Sequence, residues 1–296
     1  MEGDDAARVL VVEDDERSRY ALVELLAPLG EEVLAARDGR EALAIAREEE
    51  LALVLLDVGL PVLDGFETAR LLKADERSRH VPIIFLTAHA DGEAIARGYE
   101  AGAVDYLLKP FEPEILLAKV SVFVDLYRLR RDAAVLTHRA LHDPLTGAPN
   151  RTLFLDRLQT AIARLGRGDS GIAVLFVDLN EFKQINDAVG HQAGDEVLVE
   201  VARRLQSVVR AADTVARFGG DEFLVLCEGI DEVEAAEVER RIEEAARFEV
   251  AVDGRLVQVS ATVGRALADD PLAVPEELIR RADLAMFAAK RGARAT

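Results

Sequence analysis

Arg217-Phe218-Gly219-Gly220-Asp221-Glu222-Phe223, running on into Leu224-Val225-Leu226, is the stretch on which the reading of this chain turns. Apolar residues flank a Gly-Gly pair, and two adjacent positions that tolerate φ > 0 suit the tight turns joining antiparallel strands, so the segment reads as a β-hairpin. Two carboxylates, Asp221 and Glu222, leave that turn. Taken alone they fit an exposed tip with solubilising acids just as well. The sequence upstream changes the balance. Ile172-Ala173-Val174-Leu175-Phe176-Val177 is a buried-strand run that ends in Asp178, and Asn180, Phe182, Lys183, Asn186, Asp187, Gly190, His191, Gly194 and Asp195 follow it.

This combination resembles the GGDEF family of diguanylate cyclases. The surrounding pattern reads as helix (152–165), strand (172–178), helix (196–206), hairpin strands (214–218 and 222–226), helix (233–247), strand (256–263) and helix (276–290). Helices interleaved with a mostly antiparallel sheet give an α+β domain. The resemblance makes it the palm-like fold of the nucleotidyl cyclase type. Asp178 and Asp221 are then expected on adjacent strands, about 5 Å apart across the ladder. Carboxylates so close repel one another, and a divalent cation is the usual remedy. The resemblance implies that two GTP condense into cyclic di-GMP and two pyrophosphates, with Mg²⁺ held by Asp178, Asp221 and the Leu179 carbonyl. Asp221 and Glu222 are the expected catalytic acids, Glu222 acting on the metal or on the attacking hydroxyl. Asp195 suits the N1-H and N2 donors of guanine, with Asn186 completing the pair. Gly219 and Gly220 border the substrate, while Lys183, Lys290 and Arg294 are the cations expected at the triphosphate.

The family usually shows Lys-x-x-Gly-Arg near the end of this domain. Here the chain reads Lys290-Arg291-Gly292-Ala293-Arg294, with the glycine displaced by one, and Arg265 stands where an apolar strand residue is usual. Arg210-Ala211-Ala212-Asp213 precedes the hairpin and matches the Arg-x-x-Asp product-inhibition site of many family members. Arg210 offers a planar fork to phosphate or a guanine edge, and Asp213 accepts from guanine donors. His142-Asp143-Pro144-Leu145-Thr146-Gly147, with Asn150-Arg151, resembles the motif that opens the domain. Ala148 stands where a larger apolar residue is common. Pro144 cannot continue a helix, which places the domain over 142–296.

The first half of the chain reads differently. Short β-branched runs end in Glu13-Asp14-Asp15, in Asp57, in Thr87 and in Lys109-Pro110, with helical segments between them. Alternation of this kind predicts βαβ units and a parallel sheet, whose ligands gather beyond the carboxyl ends of the strands. This set resembles the receiver domain of bacterial response regulators, a doubly wound, flavodoxin-like α/β fold, over 1–125. Asp57 is the expected phosphoryl acceptor, aspartyl phosphate being a known use of this side chain. Glu13, Asp14 and Asp57, with the Gly59 carbonyl, would hold Mg²⁺. Thr87 and Lys109 would meet the new phosphate, and Tyr106 is a switch partner of Thr87 by resemblance.

Residues 113–141 read as one long helix. Val122, Leu126, Leu129, Ala133, Leu136 and Ala140 alternate by four and three, which fits either a parallel two-helix stalk over 126–141 or an amphipathic helix packed on its own domain.

With 296 residues, half of them hydrophobic, the chain suffices for two domains with cores of their own. A net charge of −19 argues against a nucleic-acid-binding surface, which needs Lys and Arg to displace counterions. Cys227, the single cysteine, reads as a buried structural thiol. No apolar run approaches the roughly 18 residues of a membrane span, and the acidic N-terminus leads into no signal-like segment, so a cytoplasmic protein is expected. One GTP site per chain cannot close a two-fold symmetric product, which calls for a homodimer. Phosphorylation of Asp57 by a cognate histidine kinase or phosphotransfer protein would then be the input. The alternative is a non-catalytic signalling adaptor that only binds GTP or cyclic di-GMP. A transcription regulator finds neither a helix-turn-helix pattern nor a basic surface.

Overall fold

The computed structural model describes residues 6–88, 92–165, 171–252 and 255–293. The chain divides into two compact units, Met1–Val135 and Leu136–Thr296.

In the first unit the order is β1 (Arg8–Val12), α1 (Glu16–Leu26, extended by a 3-10 turn at Ala27–Leu29), β2 (Glu32–Ala36), α2 (Gly39–Glu48), β3 (Leu53–Asp57), α3 (Gly65–Ala74), β4 (Ile83–Thr87), α4 (Gly92–Glu100), β5 (Asp105–Leu108) and α5 (Pro113–Leu141), which crosses the division. The strands form one parallel sheet in the order β2-β1-β3-β4-β5. Both faces are covered, and this explains the near-continuous apolar runs: Leu10, Val12, Val54 and Leu56 enter one core, Val9, Val11, Leu53 and Leu55 the other. Asp15, Asp38 and Asp64 cap α1, α2 and α3 by accepting from backbone N–H groups of the first turn, which fixes where each helix leaves the sheet edge. β2 and α4 were not among the elements expected from sequence.

The α5 helix uses two faces. Leu116, Val120 and Val124 are buried in the core of the first unit, whereas the four-and-three seam is not: Val122, Leu126, Leu129, Ala133, Leu136 and Ala140 are all exposed. The helix therefore packs on its own domain through Leu116, Val120 and Val124, and the seam lies on another side of it.

The second unit runs α6 (Arg151–Arg164), β6 (Gly171–Leu179), α7 (Phe182–Val189), α8 (His191–Ser207), β7 (Thr214–Gly219), β8 (Glu222–Ile230), α9 (Glu232–Ala245), β9 (Phe248–Val252), β10 (Arg255–Val259), β11 (Ala261–Ala268) and α10 (Pro275–Ala293). An antiparallel sheet, β11-β6-β8-β7, lies at its centre, beside a separate β9-β10 ribbon. The single strand expected over 256–263 is therefore two strands in two sheets, parted at Ser260. α7 is a further helix, entered through Glu181 in the left-handed region at φ 56°. Alternation along β6 and β8 sorts the side chains: Leu175, Val177, Phe223 and Val225 pack beneath α8 and α9, while Val174, Phe176, Leu224 and Leu226 pack beneath α6 and α10. At Gly264 the backbone of α10 rests directly on β11. A Cβ there would stand 1.9 Å from the Met286 nitrogen and 2.5 Å from the Ala282 oxygen.

Candidate functional site

Strand alternation also decides which acids meet. Asp178 and Glu222 have the same parity as Val174, Phe176, Leu224 and Leu226, so both point to the side covered by α10, at the end where the apolar residues run out. They are direct partners across the β6-β8 ladder. This corrects the expected pairing: Glu222, not Asp221, stands opposite Asp178. Asp221 occupies the turn, its carbonyl accepting from the Leu179 N–H at 3.3 Å. Of the two turn residues only Gly220 has positive φ, 52°, the pattern of a type II′ connection. The β7-β8 register slips between Arg217 and Gly219, beside the turn, while the β6-β8 ladder runs without a break from Ile172 to Asp178 and sets Glu222 on Asp178.

Burial pushes the Glu222 carboxyl up, and the charges of Asp178, Asp221 and Asp283 add to this; Lys290 works the other way. Lys290 reaches from α10 and pairs with Asp178 Oδ1. Asn180 ties down the end of β6: its N–H donates to the Ser260 carbonyl at 2.8 Å, and its side chain meets Thr262 Oγ1 at 2.8 Å.

Asn186 on α7 packs on Gly194, the residue before Asp195 on α8. Asn186 Oδ1 fills the space beside Gly194, where a Cβ would lie 1.8 Å away, and Asp195 follows, exposed. Lys183 is exposed on α7. Arg294 lies outside the described residues. Arg210 and Asp213 close a turn on each other, with Arg210 N–H donating to Asp213 Oδ2 and Asp213 N–H to the Arg210 carbonyl, both at 2.9 Å. The exposed Arg210 guanidinium lies 3.4 Å from Glu234 on α9. Cys227 is buried, and burial pushes its thiol up to about 12, consistent with an inert structural role.

Three further residues of the second unit had no role assigned from sequence. Arg217 precedes the glycines and pairs with Asp143 of the opening motif. Asp283 sits seven residues before Lys290 on α10, two turns along one helix face, and that spacing was the available signal. Arg265, unexplained in sequence, pairs with Glu232 at 2.9 Å and with Glu239, both on α9.

In the first unit, Glu13, Asp14 and Asp57 gather at the carboxyl edge of the sheet, each offering an oxygen, with these atoms within 4.8 Å of one another. Among the described residues this is the tightest such set, so the hairpin acids stand further apart. Lys109 lies 2.5 Å from Glu13 Oε2 and 3.2 Å from Asp57 Oδ1. Burial pushes the Glu13 carboxyl up against the pull of Lys109; burial alone would lower Lys109, but bonds to Glu13 and the Asp57 charge raise it. Arg19 donates to the Glu13 carbonyl at 2.7 Å and steadies the acidic loop. Gly59 borders Asp57, a Cβ there lying 3.6 Å from Oδ2. Tyr106 faces Phe85 across the ladder, and Thr87, two residues beyond Phe85, falls on the same side of the sheet. The all-oxygen donor sets in both units suit a hard cation such as Mg²⁺.

Residues 140–296 match the family described as diguanylate cyclase, GGDEF domain, and residues 9–121 match the response regulator receiver domain. Response regulator PleD of Caulobacter vibrioides is 30% identical over 294 residues, 97% of this chain and 64% of that protein, so the chain spans less than two thirds of that relative. Among solved structures, diguanylate cyclase SiaD of Pseudomonas aeruginosa, in complex with its activator SiaC, is similar with a TM-score of 0.51 and 32% identity, over 68% of this chain and 74% of that one. The coiled coil and GGDEF domain of DgcB from Caulobacter crescentus, in complex with c-di-GMP, is similar with a TM-score of 0.55 and 28% identity, over 60% of this chain and 94% of that one.

Proposed function

The chain belongs to the GGDEF family, and on that premise we propose that it is a diguanylate cyclase regulated by phosphorylation, condensing two GTP into cyclic di-GMP and two pyrophosphates. The observation that carries the reading is the meeting of Asp178 and Glu222 across one ladder, with Asp221 in the adjoining turn. Such a concentration of acid at the rim of a buried sheet is unfavourable unless a cation joins it. Asp178, Asp221 and the Leu179 carbonyl would hold Mg²⁺, which when bound polarises the α-phosphoryl and eases deprotonation of the attacking 3′-hydroxyl. Glu222, with its raised pKa, would accept that proton or join the metal. Asp195 and Asn186 would read guanine, Gly219 and Gly220 let the backbone approach the nucleotide, and Lys183, Lys290 and Arg294 would meet the triphosphate.

Control would come from 1–125 as the receiver, with 126–141 connecting it to a catalytic domain over 142–296. Asp57 would take a phosphoryl group from a histidine kinase or phosphotransfer protein; Glu13, Asp14, Asp57 and the Gly59 carbonyl would hold Mg²⁺, which would offset the charge of that group, and Thr87, Tyr106 and Lys109 would respond. Two chains bring two GTP face to face, and the exposed α5 seam supports such a pairing. Arg210 and Asp213 would bind the product and restrain the enzyme. No described helix is long and apolar enough to cross a membrane, in keeping with a cytoplasmic site of action. Incubating the protein with Mg²⁺ and GTP, with and without beryllofluoride, tests this: a dinucleotide product resolved by chromatography, enhanced by the phosphoryl mimic, is expected, and GTP binding with no product would overturn it.

A further inference from the structure

Lys290 and Asp178 are assigned above to different ligands, the triphosphate and Mg²⁺, yet here they hold one another. Their side chains are 24% and 18% exposed, so the pair is shielded more than an ordinary surface salt bridge. It joins distant parts of the chain, and the direct seating of α10 on Gly264 fixes the helix that carries Lys290. Lys290 is also the cation that offsets the raised Glu222, which Asp178, Asp221 and Asp283 all disfavour in its charged form.

We propose that Lys290 is a placeholder cation that denies Asp178 to bare Mg²⁺ and releases it only when a triphosphate draws the ammonium away. The site would then take the metal together with the nucleotide rather than the metal first. This rests on the diguanylate cyclase reading. The argument is one of competing charge. Mg²⁺ sheds its water reluctantly and would have to displace an ammonium already in place. A triphosphate offers the ammonium several oxygens and more negative charge than one carboxylate, and lysine, a compact charge on a flexible stem, can move between them. Once it moves, Asp178 is uncovered at the moment the metal arrives on the same nucleotide. Seen this way, the displaced glycine after Lys290 matters less than the reach of the lysine.

Mn²⁺ binding to the full-length protein, read from the loss of the free-ion paramagnetic signal, tests this without any turnover. Wild type and variants share the receiver site, so its contribution cancels in the comparison. Loss of one charge-assisted pair predicts that Lys290→Gln binds Mn²⁺ without nucleotide about tenfold more tightly than wild type. Lys290→Arg, which keeps the charge, should stay close to wild type. In wild type, adding a non-hydrolysable GTP analogue should bring on Mn²⁺ uptake beyond that of the analogue alone, which itself binds the ion and is measured without protein, and Lys290→Gln should largely lack this increment. Equal Mn²⁺ affinities in wild type and Lys290→Gln, with analogue-dependent uptake intact, would overturn the placeholder role and leave the cyclase reading standing. No analogue-dependent uptake in wild type would overturn both.

Discussion

Asp143, just past the end of α5, accepts from Arg217 Nη1 at 3.0 and 3.2 Å, while the same guanidinium donates to the Gly220 carbonyl through Nε at 3.0 Å and Nη2 at 2.8 Å. One arginine thus ties the opening motif of the second unit to the turn that carries Asp221. The Arg217 N–H adds a bond to the Pro149 carbonyl at 2.9 Å. A displacement of the opening motif has a short mechanical route to the hairpin.

Asp143→Asn should destabilise the second unit by about 2 kcal/mol at neutral pH, since it weakens a largely shielded ion pair. Burial alone would raise the Asp143 carboxyl, but bonds from Thr146 and Arg217 outweigh it and hold the group below the ordinary aspartate range. A depressed pKa gives stability that is present above the unfolded value, about 3.9, and lost as pH falls through the folded one. Urea midpoints should therefore differ between variant and wild type at pH 7 and converge in acid. An equal gap at both would show that charge is not what the residue contributes.

Glu222→Gln should abolish most turnover yet leave the protein more stable at neutral pH. The sign follows from the raised pKa: the folded state holds the proton more tightly than the unfolded state, so ionising Glu222 lowers stability as pH rises through that window. Thermal melts at pH 7 should favour the variant, and the advantage should shrink at pH 4. A variant that turns over GTP at the wild-type rate would remove Glu222 from the chemistry.

Asp57→Asn should take no label from a radioactive phosphodonor and should lose activation by beryllofluoride. The phosphoryl group brings about −1.5 to −2 charges to a site where Lys109 is already paired with Glu13 and Asp57, and would recruit that lysine more strongly. Normal labelling of the variant would refute the acceptor.

Arg210→Ala should relieve inhibition by cyclic di-GMP. Asp213 and Gly219 are six positions apart, roughly 20 Å along an extended strand, so product bound there would not overlap GTP at the hairpin, and inhibition should be non-competitive. Initial rates across GTP concentrations at several product concentrations provide the measurement. Product inhibition unchanged in the variant would exclude the site.

Val62, 86% exposed in the loop after Asp57, has φ 69°, with the Leu63 N–H closing a three-residue turn onto the Pro61 carbonyl at 2.8 Å. A β-branched residue in this region carries about 1–2 kcal/mol of strain. Val62→Gly should raise the denaturant midpoint of the first unit, by about 0.5–1 kcal/mol once the extra freedom of unfolded glycine is subtracted. A lower midpoint would mean that the valine contributes more than it costs.

Much of this arrangement could be read from sequence, because residue type and alternation carry it. Gly219-Gly220 between apolar runs gave the hairpin, and Asp178 at the end of an apolar run gave the rim of the sheet. The partner of Asp178 could not be read, because Asp178 and the hairpin acids lie about forty residues apart in the chain and the β6-β8 register that joins them leaves no local trace in composition. β2 escaped because Glu32–Ala36 is a five-residue edge strand with one acid, two alanines and a single β-branched residue, Val33, instead of the β-branched run of its neighbours. The break between β10 and β11 escaped because Ser260 interrupts nothing a period-two pattern would register. Arg265 looked anomalous only because its partners, Glu232 and Glu239, lie on another element.

The seating of α10 on Gly264 has a bearing on how such a domain can drift over generations. Lys290 is aimed by a helix whose height above the sheet is set where no side chain exists, and any substitution there must lift the helix or fail to pack. The accuracy of a charged contact is thus inherited from an atom that is missing. A mutational survey guided only by acids, bases and nucleotide contacts would pass over Gly264, yet Gly264→Ala should be among the least tolerated changes in the second unit, disabling the site with every functional group still present.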